Sequence, residues 1–516
     1  MLLTRDELRK DKMFGRVEEA ILGYDQAGTA ALFHEMVAGD GRSVGDALAL
    51  IMEAEAPYIQ VPNHINLKNG DVVLTNNDHT IFGLRTSTQL MRYLPDEYRL
   101  LPLMQSVWYI PAGLDIWSQL LFEYPGRYAL MKGVDVPKAG QLPVVWACDQ
   151  EPRNDGKNLQ ERLHNHLVAT MAGDADTSYA QFLGLAADET ARAAVRDQLL
   201  FLGCIDVQDT IAGRKARNTG HKAIRARATV DLADTVGWER AHGVFYAGVP
   251  DMAVGPLYYS MYDAACVTTN ARFQDGGRQL KKTNQTPLTD DEVDAFLHVV
   301  LEGEPRQAWD HVTAYLEAGK SVVSMAHALQ IAGAELILRW QADPAVLSLG
   351  QHVTDYSNVV NYWFRTSDNP CQPRVLYLMA AYANDVARST PLHVSHLEEE
   401  LADHTVPDMP AERLLRELDT AIMALDFAGS TALANAYLRS GADRRAFMQT
   451  VALAACRFQD DPHNQKIIHS TFEEYEHNST HLRDKLLLAG VRLLAGWTKM
   501  PGERDCFARF EREYAR

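Results

Sequence analysis

Beyond residue 158, apolar residues recur at helical spacing in one segment after another, and this restricts the fold more than any other feature of the chain. ARAAVRDQLLFLG, HKAIRARATVDLADTVG, DEVDAFLHVVLEG, VVSMAHALQIAGAELILRW, VLYLMAAYANDVAR, LLRELDTAIMALDFAG and AFMQTVALAACRFQ each place apolar side chains three and four apart. That is one face of a 3.6-residue helix. Several of these segments follow an Asp, Asn, Ser or Thr cap or end at Gly. DKLLLAGVRLLAG and RDCFARFEREYAR add two more helices. Such stripes are buried only by packing helix on helix, so the chain reads as mainly α, a multi-helix bundle or an α/α array. Loosely similar helix pairs recur without an exact repeat, and no segment is of low complexity.

The first 150 residues differ. Residues 1–56 read as helical, through AALFHEMVAG and VGDALALIMEAEA. From Pro57 the short runs YIQVP, DVVLT and HTIFGLR, separated by Asn, Gly and Asp, predict a small extended or β excursion near residues 57–85. Helical periodicity resumes in RTSTQLMRYL, LPLMQSVWYI and GLDIWSQLLF. The Pro-, Gly-, Asp- and Asn-bearing stretch Gln141–Asn158 reads as a linker. The expected organisation is an N-terminal helical region with short strands over 1–150 and an all-α domain over 158–516 that carries the site.

Composition excludes several classes. A formal net charge of −18 disfavours a general nucleic-acid binder or a binder of acidic membranes. No uninterrupted apolar run is long enough to span a bilayer, and MLLTRDELRKDKMFGR has no apolar core of a signal peptide. The six cysteines lie far apart with no CxxC, as expected of free thiols in a reducing compartment. A cytoplasmic protein is the expectation.

Chemistry-bearing residues concentrate in Asp460–Arg483. Asp461 can cap a helix and Pro462 suits its first position. His469, Glu473, Glu476 and His477 then share one face, beside the apolar stripe Ile468, Phe472 and Tyr475. Imidazole and carboxylate one turn apart can share a metal ion, act as an acid/base pair, or simply form surface ion pairs. In NTGHKAI, His221 falls in the first turn of a helix, where the dipole favours the neutral, ligating imidazole, or the ring simply satisfies a loop carbonyl. The basic run Arg214, Lys215, Arg217, Lys222, Arg225 and Arg227 is either a phosphate site or a solvated face. His327 and Glu335 sit near one face of a very apolar helix and read as a satisfied core pair or as ligands. His352, Asp355 and Asn358, spaced by three, lie on adjacent turns and read either as a functional set or as a polar stripe packed on a neighbouring helix. His164–His166 spells HNH without the ββα context of that nuclease, Asn76–His79 reads as a turn, and His393 with His396 as a helix start. No Walker A, GxSxG or HExxH is present.

Three segments resemble a family of bacterial helical proteins of unassigned activity. They are GHKAI with the later TVGWERAH, HVTDYSNVVNYWF with VLYLMAAYANDVAR, and DPHNQKIIHSTFEEYEH. Some members carry a Rieske iron–sulfur module, and the family is distantly similar to questin-oxidase-like proteins. The likeness spans about residues 191–494. It matches His221, Lys222, His352, His463, Lys466, Glu473 and His477, whereas Asn464-Gln465 replaces Asp-Tyr and His469 stands at a small-residue position. The resemblance implies that these distant helices group together. If so, His221, His352, His463, Glu473 and His477 are metal ligands. Lys222 or Lys466 would hold a substrate anion or orient a carboxylate, and Tyr475, Tyr362, Trp363 and Trp238 either line an apolar pocket or belong to the core.

Two functions then compete. The first is a non-haem metal-dependent oxidoreductase or oxygenase acting on a small organic substrate. Its ion would be iron, with manganese or zinc as alternatives, and its electrons would come from an iron–sulfur donor. The second is a non-catalytic α-helical scaffold or protein-interaction module whose histidines are structural; a homo-oligomer is compatible with either.

Overall fold

A computed structural model describes the chain apart from Met1, Thr4, 60–64, 67–71, 74–78, 112–149, 208–219, 254–258, 340–343, 390–396, 459–462, 497–504 and Arg516. The described residues are overwhelmingly α-helical, as the periodicity predicts. Among the described residues, the extended excursion contributes one antiparallel strand pair, β1 (Ile65–Asn66) and β2 (Val72–Val73), with Ile65 opposite Val73. From His79 the predicted excursion is instead helix α1 (His79–Leu90). Ile81, Phe82, Leu84, Thr86 and Ser87 are all fully buried, so this helix is covered on most sides. A helix without a solvent face has no amphipathic period, and HTIFGLR therefore reads like a strand.

Three further helices complete the centre: α2 (His221–Val236), α3 (Pro344–Thr366) and α4 (His463–His477). They close a ring in which α1 packs on α2, α2 on α3, α3 on α4 and α4 on α1. All four run in the same direction. His221 meets His352 at one level, and Arg227 meets Asn358 about two turns further on. Gly220 begins α2 at φ 82°, and a Cβ there would stand 2.9 Å from Cβ of Tyr356 on α3. Only glycine combines that left-handed backbone with so close an approach. The far end of α2 is set by Gly237, also at positive φ.

The remaining helices wrap this ring. Val322–Leu338, with nearly every residue buried, packs on α3 and on Asp484–Gly496, which in turn covers α4. Gln372–Ser389 lies over α3, and Arg192–Ile205 over α2. Val44–Ile59 packs on α2 and on His242–Gly248. One continuous apolar core runs from Met13 to Phe510. The N-terminal region is therefore joined to the rest: α1 supplies one wall of the central ring.

Candidate functional site

Three of the ring helices begin at a histidine, and α3 brings a fourth to the same level. His79, His352 and His463 are buried, and His221 is half-buried. Nε2 of His221 lies 2.8 Å from Nε2 of His352, a hydrogen bond in which one ring donates and the other accepts. The rings of His79 and His463 are in contact, with centroids 4.6 Å apart. The square closes with His79 to His221 at 5.8 Å and His352 to His463 at 6.2 Å. The structure thus brings together His221, His352 and His463 and adds His79, which the sequence reading assigned to a turn. The clue to His79 was its place directly after the potential cap Asp78, ahead of TIFGLRTSTQL, a segment that can also be read as a helix.

One turn further on, Phe82 of α1 stands edge-on to His79 and His221, at 5.8 and 5.6 Å between centroids. Nζ of Lys466 sits 5.6 Å from the centroid of that ring and 3.4 Å from Oδ2 of Asp355. The other oxygen of Asp355 accepts a hydrogen bond from Ser470 Oγ at 2.8 Å. Lys466 and Asp355 are 1% and 2% exposed, so this ion pair lies within the protein, directly beneath the imidazoles. These positions follow from periodicity: Phe82, Asp355 and Lys466 each come three residues after a histidine of the cluster.

A third layer holds arginines. Arg227 donates two hydrogen bonds of 2.7 Å to the carboxylate of Glu473 and a third to Asn358 Oδ1, and its guanidinium stacks 3.9 Å over Tyr362. Arg85 donates to Asp231 at 2.9 Å. Asn358 donates to both Glu473 and Glu474, Asn361 to Glu474, and Arg365 to Glu474 at 3.1 Å. Burial alone would raise the pKa of Glu473. The charge and hydrogen bonds of Arg227, aided by Arg85, outweigh it and hold the carboxyl well below its ordinary range. Burial wins for Glu474, whose pKa is raised. His469 is driven well below the usual imidazole value, first by burial and then by the neighbouring Arg85.

This geometry corrects four expected roles. Glu473 is not beside the imidazoles: it lies ten residues beyond His463 on one continuous helix, about 15 Å along the axis. Both its oxygens are already engaged by Arg227. His477 lies about 21 Å from His463 by the same rise and is exposed. Tyr475 packs near that same far end, with Arg483 over its ring at 5.2 Å. Lys222 turns away from the cluster into a buried ion pair with Asp206. The face His469, Glu473, Glu476 and His477 is therefore no ligand set, and Glu476 pairs with Arg92.

Other candidates resolve as structure. Arg225 pairs with Asp251, and Arg227 with Glu473, so the described part of the basic run is internal and neutralised by acids. Arg214, Lys215 and Arg217 lie outside the described residues, as do Asp461, Pro462, His393 and His396. His327 bonds Ser479, and Glu335 pairs with Lys485 and Arg339, which makes a satisfied core pair. His166 is a buried helical residue bonded to Gln198. Trp238 and Trp363 are buried and bonded to Asp234 and Asp197. Cys204, Cys266, Cys371, Cys456 and Cys506 are free thiols.

Among the described residues, no group of three or more His, Cys, Asp or Glu side chains is arranged so that it could hold a metal ion. Among them also, no helix is long and apolar enough to cross a membrane. No family model matches the chain, and neither a curated protein nor a solved structure matches it.

Proposed function

We propose that this protein is a metal-dependent oxidoreductase whose centre is the imidazole square His79, His221, His352 and His463. The observation that carries this reading is the meeting of four histidines from four different helices at one interior level. Imidazole suits iron, zinc, copper and nickel, and we favour iron over zinc because iron changes oxidation state. With Glu473 and His477 elsewhere, the ligand set is nitrogen only. Two imidazole nitrogens bound to one ion stand about 3.0–3.4 Å apart, given bond lengths near 2.1 Å. The His221–His352 nitrogens at 2.8 Å would have to part by only a few tenths of an ångström. A bound iron would supply one-electron chemistry on a small organic substrate. This chain's own part is to orient the rings, bury them, and place Phe82 and Lys466 beside them.

The hydrogen bond between His221 and His352 supports a second, metal-free reading, in which the pair relays a proton as general acid and base. Elemental analysis of tag-free protein, as isolated and after loading with iron, zinc or manganese, separates the two. One ion per chain is expected in the native protein, with loss in His79→Ala and His352→Ala and retention in Glu473→Gln. Content far below one ion under every loading condition overturns the metal reading.

A further inference from the structure

Two of the free thiols stand together, beyond the end of α3 that lies farthest from the imidazole square. Cys266 is part of helix Ser260–Arg272, and Cys371 sits in the turn that leads into Gln372–Ser389. These two helices pack on each other, and three contacts fix their register. The Tyr262 hydroxyl is within hydrogen-bonding reach of Cys371 and Arg374. Arg374 Nε donates to Thr269 Oγ1 at 3.2 Å, and its Nη2 donates to Gly276 O at 3.0 Å. Trp309 then bridges the pair, with Nε1 3.1 Å from Thr268 Oγ1 and its ring 4.7 Å from that of Tyr377. Contacts that advance together along both chains mean that the helices run in the same direction. Cys266 lies four residues after Tyr262 and three before Thr269, one turn from each of two residues that meet the partner helix. It therefore belongs to the face turned toward Cys371, and it too reaches the Tyr262 hydroxyl.

Access sets this pair apart from the other described thiols. Cys266 and Cys371 are partly exposed, whereas Cys204, Cys456 and Cys506 are buried. Burial raises the pKa of all three buried thiols, that of Cys506 to about 12, so they are held as unreactive S–H groups. Burial raises Cys266 as well, but there the charge of Arg374 and the Tyr262 hydroxyl pull the other way.

We propose that Cys266 and Cys371 are a redox-active pair, oxidised to a reversible disulfide by a low-molecular-weight disulfide of the glutathione type. One protein thiolate attacks a sulfur of the oxidant, which forms a mixed disulfide and releases one small thiolate. The second protein thiolate attacks the mixed disulfide at the protein sulfur and releases the other. Two electrons and two protons leave the protein, and the oxidant becomes two small thiols. The bond closes a loop of roughly 100 residues that contains α3 and with it His352. Oxidation thus ties down one wall of the central ring, whatever the imidazoles bind.

The test incubates native full-length protein with excess oxidised glutathione at neutral pH, blocks the remaining thiols with iodoacetamide and maps tryptic peptides without reduction. A Cys266–Cys371 peptide pair is expected, with two thiols lost per chain and both restored by dithiothreitol. The cross-linked protein should melt a few degrees higher, because the bond restricts the unfolded chain. Oxidation should leave Cys266→Ser and Cys371→Ser without that rise. Both thiols still unlinked in folded native protein overturn the proposal, as does a stable glutathione adduct on either in place of the bond. So does a bond that forms only in urea, or one that lowers the melting temperature. Peptide mapping separates this pair from Cys148, which lies outside the described residues, and neither readout depends on a bound metal.

Discussion

Replacing Glu473 by Gln separates a structural carboxylate from a metal ligand. In the native protein this side chain takes two hydrogen bonds from Arg227 and one from Asn358, with Arg365 at 3.5 Å and Arg85 at 3.9 Å. The amide keeps the volume but removes the charge. Arg85, Arg227 and Arg365 would then share only Asp231 and Glu474, and the pKa of Glu474 is already raised by burial. Removing one partner of a buried pair typically costs about 3–5 kcal/mol, and that is the expected loss at neutral pH. The folded pKa of Glu473 lies below its unfolded value, so this contribution is complete above the unfolded pKa of about 4.3. It fades as pH falls through the depressed folded value. Urea unfolding followed by far-UV circular dichroism, from neutral pH down into the acid range, measures both. Metal content should not change. A loss below about 1 kcal/mol, the range of an exposed pair, would refute the argument, as would lost metal with intact stability.

Three further outcomes follow from burial. Glu55 is fully buried, and burial raises its carboxyl to about 8 against a single hydrogen bond from Thr80. Its folded pKa exceeds the unfolded one, so native stability should fall between about pH 4.5 and 8, by up to roughly 1.4 kcal/mol per pH unit. Glu55→Gln should remove that slope in pH-dependent urea unfolding; an unchanged slope refutes the assignment. His166 and His327 are held at about 4 by burial, with Arg365 adding to the effect at His327. Their stabilisation is present above the ordinary imidazole value near 6.5 and is lost as pH falls toward 4, and His166→Gln should flatten the acid limb of the same curve. Gly243→Ala would place a Cβ 2.4 Å from the carbonyl of Met52, where Val44–Ile59 crosses His242–Gly248. A loss of about 1–3 kcal/mol is expected, and a neutral effect on the melting temperature would contradict that close contact.

The site was partly legible for a definite reason. His221, Lys222, His352, His463 and Lys466 stand out as polar residues within strongly helical, apolar segments, and the stripe His352, Asp355, Asn358 does face the interior as one unit. His79 was obscured because α1 is buried on most sides and so lacks the polar face that marks a helix in a sequence. Glu473, His477 and Tyr475 share α4 with His463, and nearness in sequence suggested nearness in space. A helix advances about 1.5 Å per residue, which carries those residues into other layers.

Helical periodicity, the turn and cap residues, and the net charge of −18 were enough to determine a mainly α chain with a polar seam inside it. Which helices neighbour one another was not determined by them. Period and capping act within a segment of a dozen residues, whereas the ring of α1 to α4 joins residues up to 388 positions apart in sequence, from Arg85 to Glu473. That choice rests on which apolar faces and buried charges satisfy each other. The same four helices packed in another order would leave Arg227 without Glu473 and Lys466 without Asp355, and would disperse the imidazoles.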